Sequence, residues 1–228
     1  MKVIQEKAFQ MIVEAAVCSS TACGTEFGAA KQNMIFLQAG PGLGKSYLLR
    51  AVECHLTEEV QGNAAKVKYI IAEDFISELI YAYREGTVKE FLRKYGELAV
   101  LLVDDVESLE GKEATQEAFL DILGQIRRTD GTVVFAGTKI PELLEGCSWN
   151  IIELEAPDAD GRMEILRGKA EQLGISVEKE IFHRIAERFA DDVRMMGGAL
   201  TRIAAYADLM DRDLNMELTE EVLAEFEK

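Results

Sequence analysis

Short apolar runs and amphipathic stretches alternate along the first two thirds of the chain. The apolar runs have the length of strands and lie at residues 34–38, 66–72, 98–103, 132–136 and 151–154. Between the runs, apolar residues recur every three or four positions, which is typical of one face of a helix. These predicted helices span residues 5–17, 47–56, 75–83, 88–95 and 113–128. Strands that alternate with helices predict an α/β fold with a parallel sheet.

The pattern changes at Pro157, after which only helical periodicity remains. The predicted helices there span about 158–173, 178–189, 192–209 and 219–227. Thr219, which two glutamates follow, is the predicted N-cap of the last helix. The sequence thus predicts an α/β core in residues 1–155 and a small all-helical domain in residues 156–228. Residues 19–33, which are small and polar, are predicted to form a loop.

A glycine-rich segment joins the first predicted strand to the next helix. An anion-binding loop needs backbone N–H groups that surround the anion and a helix that begins at the same point. Lys45 can bring a positive charge to the β- and γ-phosphates of a nucleotide, and the Ser46 hydroxyl can be a ligand of Mg²⁺. Ala39 stands where the strict pattern has glycine, and a strand-to-helix turn without a ligand is the alternative. The predicted nucleotide-binding residues are Gly40, Pro41, Gly42, Leu43, Gly44, Lys45, Ser46 and Tyr47.

Two acidic residues follow the buried run at 98–103, at the end of a strand where an open α/β sheet binds its ligand. Of Asp104 and Asp105, we expect one carboxylate to hold hydrated Mg²⁺ and the other to orient or deprotonate a water molecule. Thr138, after the next strand, could sense the γ-phosphate, and Arg194, in the helical domain, could reach the phosphates. For these two residues, a solvated turn and a surface arginine remain alternatives. Together the segments predict binding of a nucleoside triphosphate with Mg²⁺.

Composition narrows the class of protein. The 228 residues carry a net charge of −16, from 25 basic and 41 acidic side chains, which opposes strong autonomous binding to nucleic acid. No apolar stretch approaches the ~20 residues of a membrane helix, and the N-terminus lacks a signal-peptide profile, so we expect a cytoplasmic protein without a membrane partner. No zinc site is expected, because the cysteines lack metal-ligand spacing; they are Cys18, Cys23, Cys54 and Cys147.

The order of these segments resembles that of AAA+ ATPases, and among them the ATPase domain of the bacterial replication initiator family DnaA. The stretches that carry the resemblance are GPGLGKSYLLRAV (40–52), YIIAEDFISELIYAYREGTVKEFLRKY (69–95), VLLVDDVESLEGKEATQEAFLDIL (100–123), PDADGRMEILRGKAEQLGI (157–175) and DVRMMGGALTRIAAYA (192–207). The resemblance implies a phosphate-loop core, with helices on both faces of a parallel sheet, and a helical lid. It also implies binding of ATP or ADP with Mg²⁺.

Site residues can be carried over by position. Gly42, Gly44, Lys45 and Ser46 match the family's phosphate loop (Walker A), and Asp104 and Asp105 match its acidic pair (Walker B). Thr138 falls near the first sensor, and Arg194 matches the arginine of the lid. The resemblance therefore implies catalytic roles for Lys45, Asp105, Thr138 and Arg194, and ligation of the metal by Ser46 and Asp104.

The chain departs from the family in ways that bear on function. It looks shortened: the family's N-terminal partner-binding domain and its C-terminal double-strand DNA-binding domain are expected to be absent. In the family, the segment before the fifth strand carries an arginine that reaches a neighbour's γ-phosphate. Here residues 139–154 contain no arginine, and Lys139 is their only cation. Lysine lacks the planar fork of guanidinium, so self-activated hydrolysis in a homo-oligomer is not expected.

Three functions fit these observations. The first is an ATP-binding regulator of replication initiation that acts through a full-length DnaA-type initiator or another AAA+ replication protein, with weak or partner-dependent ATP hydrolysis. The second is an ATPase, like a helicase loader, that binds single-stranded DNA. Its basic residues would be Lys89, Arg93, Lys94 and Lys112, although these also fit an ordinary solvated helix face. The third is a nucleotide-bound adaptor that does not hydrolyse ATP.

Overall fold

A five-stranded parallel sheet is the centre of the larger part of the molecule. The computed structural model describes residues 2–20, 33–59 and 66–227. The strands are β1 (Met34–Gln38), β2 (Val67–Ile71), β3 (Val100–Asp104), β4 (Thr132–Gly137) and β5 (Asn150–Glu153). They lie in the order β2-β3-β4-β1-β5, and every pair is parallel. The predicted α/β fold and all five predicted strands are confirmed.

The predicted helices of the first part are also present. They are α1 (Lys2–Ser20), α2 (Lys45–Glu59), α3 (Ala72–Glu85), α4 (Val88–Gly96) and α5 (Glu113–Arg128). The sequence pattern did not predict the short 3₁₀ turns at Val106–Leu109 and Glu142–Leu144. Residues 21–32, within the predicted loop, lie outside the described part of the chain. Among the described helices, none combines the length and the apolar character needed to cross a membrane.

Helices cover both faces of the sheet, as the resemblance implied. Side chains of a strand alternate between the two faces, so Phe36, Val103 and Phe135 share one face. These side chains are fully buried in one cluster with residues of α3, α4 and α5. The alternate residues, such as Leu37 and Leu102, are equally buried on the opposite face, where α2 packs. Burial on both faces explains why β3 is a continuous apolar run in the sequence.

By residue contacts, the described chain divides into two compact units. The larger unit comprises residues 5–40 and 45–154, and the smaller comprises 155–228 with 1–4 and 41–44. The helices of the smaller unit are α6 (Ala159–Leu173), α7 (Lys179–Arg188), α8 (Val193–Leu209) and α9 (Met216–Ala224). They enclose an apolar core of their own, which includes Leu166, Ile185 and Leu200.

Polar side chains begin three of these four helices. Asp158 accepts a hydrogen bond from Gly161 N at the start of α6, and Asp192 accepts one from Met195 N at the start of α8. Such caps satisfy backbone N–H groups that have no partner within the helix.

The predicted N-cap of the last helix is wrong. The helix α9 begins at Met216, and Asn215 caps it by accepting a hydrogen bond from Leu218 N at 3.0 Å. Thr219 lies inside the helix and is fully buried, and its hydroxyl donates to Asn215 O at 2.8 Å. The Thr-Glu-Glu sequence resembles a helix start, but Asn is at least as good a cap and precedes it by one turn.

Candidate nucleotide-binding site

The carboxyl ends of three adjacent strands, β1, β4 and β3, bring the start of the glycine loop, Thr138 and Asp104 to one edge of the sheet. In the register of the sheet, Gln38 at the end of β1 lies beside Gly137 at the end of β4. Gln38 Nε2 donates to Thr138 O at 3.0 Å, and Ala39 N donates to Gly137 O at 3.1 Å. The start of the glycine loop is therefore hydrogen-bonded to the segment that carries Thr138.

Lys45, the first residue of α2, is buried although it is charged. Its side chain is only 7% exposed, and Nζ donates to Ala39 O and Gly40 O at 2.9 Å each. A buried ammonium group is expensive unless it is hydrogen-bonded, and these two carbonyl groups supply partners. An ammonium group has three N–H donors, so the two bonds leave one for an anionic ligand.

The backbone of the glycine loop needs residues without a side chain. Gly42 and Gly44 have φ of 77° and 88°, a region that other residues adopt only with strain. Ser46 follows Lys45 within α2 and is half-buried. Tyr47, which the sequence placed among the nucleotide-binding residues, is 65% exposed, so its side chain adds little to the loop itself.

The two acidic residues after β3 have opposite environments. Asp104 is 1% exposed; its Oδ1 accepts a hydrogen bond from Asp105 N at 3.0 Å and its Oδ2 accepts one from the Tyr69 hydroxyl at 2.9 Å. Asp105 is exposed and has φ of 52°, in the left-handed region. Such backbone conformations are uncommon outside glycine and are concentrated at functional sites. One carboxylate is thus fixed and buried, while its neighbour projects from the end of the strand.

Tyr69 of β2 is a site residue that sequence reasoning missed. Burial, and then its hydrogen bond to the Asp104 carboxylate, raise the pKa of Tyr69 to about 12, so the hydroxyl keeps its proton and acts as a donor. The residue lies in the apolar run KVKYIIA, where a tyrosine carries no special signal. Only the pairing of β2 with β3 brings it to Asp104.

Glu107 is a second residue that the sequence did not single out. Thr138 is exposed, and its N–H donates to Glu107 Oε1. Burial would raise the pKa of Glu107, but the hydrogen bonds from Thr138 outweigh it, and the charge of Lys45 adds to them, so the pKa is lowered. The carboxylate of Glu107 therefore fixes the backbone of the predicted sensor residue.

The described residues fit a magnesium ion that is held jointly with a nucleotide. They contain no group of three or more histidine, cysteine or acidic side chains that could enclose a metal by themselves. Mg²⁺, however, usually takes one or two protein ligands in addition to substrate phosphates and water, and it prefers oxygen. Ser46 offers a hydroxyl oxygen and Asp104 a carboxylate, and both remain predicted ligands.

Arg194 belongs to the smaller unit, where it is exposed in the first turn of α8. Its predicted contact with the phosphates stays a prediction.

Comparison with known proteins identifies the family. The profile of the bacterial DnaA ATPase domain matches residues 8–152, which is more than half of the chain. The chain belongs to this family. A chromosomal replication initiator protein DnaA from Symbiobacterium thermophilum is 34% identical over 207 residues, which cover 87% of this chain and 45% of that protein. The chain thus spans about half the length of this relative.

Solved structures agree with the assignment to the DnaA family. Domain III of the Thermotoga maritima replication initiation protein DnaA matches with a TM-score of 0.83, at 23% identity, over 99% of this chain and 93% of that chain. A replication initiator DnaA bound to AMPPCP and single-stranded DNA matches with a TM-score of 0.71, at 25% identity, over 90% of this chain and 62% of that chain. These likenesses confirm the AAA+ fold.

The Glu107–Thr138 contact leads to a prediction about pH. Because the pKa of Glu107 is lower in the folded chain, its contribution to stability is present above the unfolded pKa of about 4.3 and is lost as the pH falls through the folded pKa. Glu107→Gln should lower the free energy of unfolding by about 1 kcal/mol at pH 7, because the charge-assisted hydrogen bond is weakened in a partly exposed place. The difference from wild type should shrink below about pH 4.3.

Urea unfolding at a series of pH values measures this difference. Glu85→Gln, the same change at the exposed end of α3, is the matched control and should have little effect at any pH. A Glu107→Gln effect that stays constant from pH 7 to pH 3.5 would contradict the assignment.

Proposed function

We propose that the chain is an ATP-binding AAA+ protein of chromosomal replication initiation or its regulation, and that it acts through a partner AAA+ protein. The observation that carries the proposal is the burial of Lys45 at the start of α2, directly after a glycine loop. Membership of the DnaA ATPase-domain family supports it. The proposed nucleotide is ATP or ADP, which binds together with Mg²⁺. The proposed location of the protein is the cytoplasm.

The site residues have distinct roles in this proposal. The loop N–H groups from Gly40 to Gly44 surround the phosphates, and Lys45 donates to them. Ser46 and Asp104 hold Mg²⁺, which neutralises charge on the phosphate oxygens. Asp105, exposed at the end of β3, orients the attacking water, and Thr138 donates to the γ-phosphate. Residues 156–228 act as the lid of the core formed by residues 1–155. Arg194 is the lid residue that contacts the phosphates in this proposal.

The segment before β5 supports the need for a partner. Its only cation, Lys139, forms an ion pair with Glu110 at 2.7 Å, and this carboxylate is the main cause of the raised pKa of Lys139. The cleft around this pair is acidic and is further lined by Glu113, Glu117 and Glu142. An acidic surface repels the phosphates of a neighbour's nucleotide. We therefore propose that this chain accepts an activating arginine, from a full-length DnaA-type initiator or another AAA+ replication protein, and does not supply one.

Nucleotide binding tests the first part of the proposal. Lys45→Ala should weaken binding of labelled ATP and ADP about 10–100-fold, because a charge-assisted hydrogen bond contributes about 1.5–3 kcal/mol. Equilibrium titration with a fluorescent nucleotide measures the loss. Lys89→Ala, which removes an exposed lysine from α4, is the matched control and should bind like wild type. Equal affinities of the Lys45→Ala and wild-type proteins would refute the site.

Turnover tests the second part. The purified chain should hydrolyse ATP slowly, at a rate per molecule that does not rise with its own concentration. Where an arginine finger operates, it accelerates hydrolysis about 10³–10⁵-fold, so an added initiator should raise the rate if it supplies one. Lys45→Ala in the chain should prevent this increase, which separates it from hydrolysis by the initiator itself. A rate that rises steeply with concentration of the chain alone would contradict the proposal.

Asp105→Asn distinguishes the regulator from a non-hydrolysing adaptor. If the chain turns over ATP, this substitution should abolish the partner-stimulated hydrolysis while nucleotide binding persists. If the chain is an adaptor, Asp105→Asn changes neither property.

Single-stranded DNA binding is the second candidate function, and the DnaA structure bound to single-stranded DNA is the observation that favours it. Two of the three basic residues of α4 form ion pairs within the chain: Arg93 lies 3.5 Å from Glu97, and Lys94 lies 3.9 Å from Glu78. Together with the net charge of −16, these pairs argue against strong binding.

This candidate has a direct test. Fluorescence anisotropy with a labelled single-stranded oligonucleotide, at low salt and with and without ATP, should show weak binding at most. Tight binding that ATP strengthens and that Arg93→Ala reduces would make the second candidate the better one.

A further inference from the structure

The hydroxyl group of Tyr69 lies where it can orient the Asp104 carboxylate of the proposed site. Tyr69 lies beside Leu102 in the register of β2 and β3, and Ile71 lies beside Asp104. Residues two apart on a strand share a face of the sheet, so the ring of Tyr69 and the carboxylate of Asp104 are on the same face. The ring spans the two-residue offset and brings its hydroxyl to 2.9 Å from Asp104 Oδ2.

Both oxygens of Asp104 are thereby fixed. Oδ2 accepts from the Tyr69 hydroxyl and Oδ1 accepts from Asp105 N at 3.0 Å. A carboxylate has about four lone-pair positions, so two hydrogen bonds restrict its rotation and still leave acceptor sites for the water shell of a cation.

Tyr69 is in turn held by α2, the helix that begins with Lys45 and Ser46. The guanidinium carbon of Arg50 lies 4.6 Å from the centre of the Tyr69 ring, a cation–π distance. Glu53 Oε1 accepts a hydrogen bond from Tyr69 N at 3.0 Å. Because β2 is an edge strand, this backbone N–H would otherwise have no partner within the sheet. The helix that carries one predicted magnesium ligand thus fixes the tyrosine that orients the other.

We propose that Tyr69 is a positioning residue for the metal, which holds the Asp104 carboxylate in one orientation as an acceptor for hydrated Mg²⁺. The proposal rests on the function proposed above, since it assumes that nucleotide and Mg²⁺ bind together. It assigns to Tyr69 no contact with the nucleotide and no step in hydrolysis. Its effect is confined to the Mg²⁺-dependent part of nucleotide affinity.

The test is a Mg²⁺ titration of nucleotide binding with Tyr69→Phe, which removes only the hydroxyl. Binding of a fluorescent ATP analogue is measured from EDTA-containing buffer to millimolar Mg²⁺. Groups that orient metal ligands typically contribute about 10–100-fold to metal affinity. The Mg²⁺ concentration needed for half of the affinity gain should rise about tenfold, at the lower end of that range, because the ion is held through water. Affinity in EDTA should be unchanged.

Further variants separate positioning from a structural effect. Tyr83→Phe, the same change at an exposed position of α3, should leave the titration unchanged. Arg50→Met should also raise the Mg²⁺ concentration needed for half of the affinity gain. The rise should be smaller than that caused by Tyr69→Phe, since the Tyr69 ring stays in place. In an Asp104→Asn background, Tyr69→Phe should produce no further shift, because the group that it orients is already altered.

The outcomes distinguish this proposal from the proposed function. If wild type binds no nucleotide, the proposed function fails and this proposal fails with it. If wild type responds to Mg²⁺ and Tyr69→Phe titrates identically, only the positioning role is overturned. A loss of affinity that is equal in EDTA and in Mg²⁺ would also overturn it, because that pattern indicates a general structural effect.

Discussion

The parallel pairing of β1, β4 and β3 is the constraint on which the candidate site depends. In a parallel sheet the carboxyl ends of all strands lie at the same edge. Polar residues that follow different strands are therefore brought together even though they are far apart in the sequence. Here the register places Gln38 beside Gly137, and β4 joins β1 to β3. A shift of one residue in β3 would turn the Asp104 side chain to the opposite face of the sheet and separate it from Tyr69.

Two charged side chains are buried at this edge of the sheet. Lys45 and Asp104 are 7% and 1% exposed, and a charge without partners in such a place is strongly destabilising. Each is satisfied by the local backbone: Lys45 by the carbonyl groups of Ala39 and Gly40, and Asp104 by the N–H of Asp105. The turns that follow β1 and β3 therefore stabilise the same side chains that the proposed chemistry requires.

The features that the sequence could predict are those that depend on residues close together in the chain. The apolar runs and helical periodicity located the strands and helices to within a few residues, because burial on one or both faces leaves a periodic trace. The glycine loop and the acidic pair were found because each is contiguous. Tyr69 and Glu107 were missed because their partners, Asp104 and Thr138, lie 35 and 31 residues away in the sequence. Thr219 was misjudged because two residues suited to capping lie one turn apart, and packing around the buried Thr219 decides between them.

The contrast between Asp104 and Asp105 follows from one backbone feature. Asp104 ends β3 in extended conformation with its carboxylate turned into the protein, and the left-handed φ of Asp105 then directs the chain away from the sheet. An ordinary extended residue at 105 would continue the strand. Aspartate tolerates the left-handed region better than most residues, so the same residue type serves at both positions for different reasons. The buried carboxylate is held by two donors, and the other is exposed beyond the end of the strand. The fixed, buried carboxylate of Asp104 suits the proposed binding of a hydrated cation. The exposed carboxylate of Asp105 suits the proposed orientation of a water molecule.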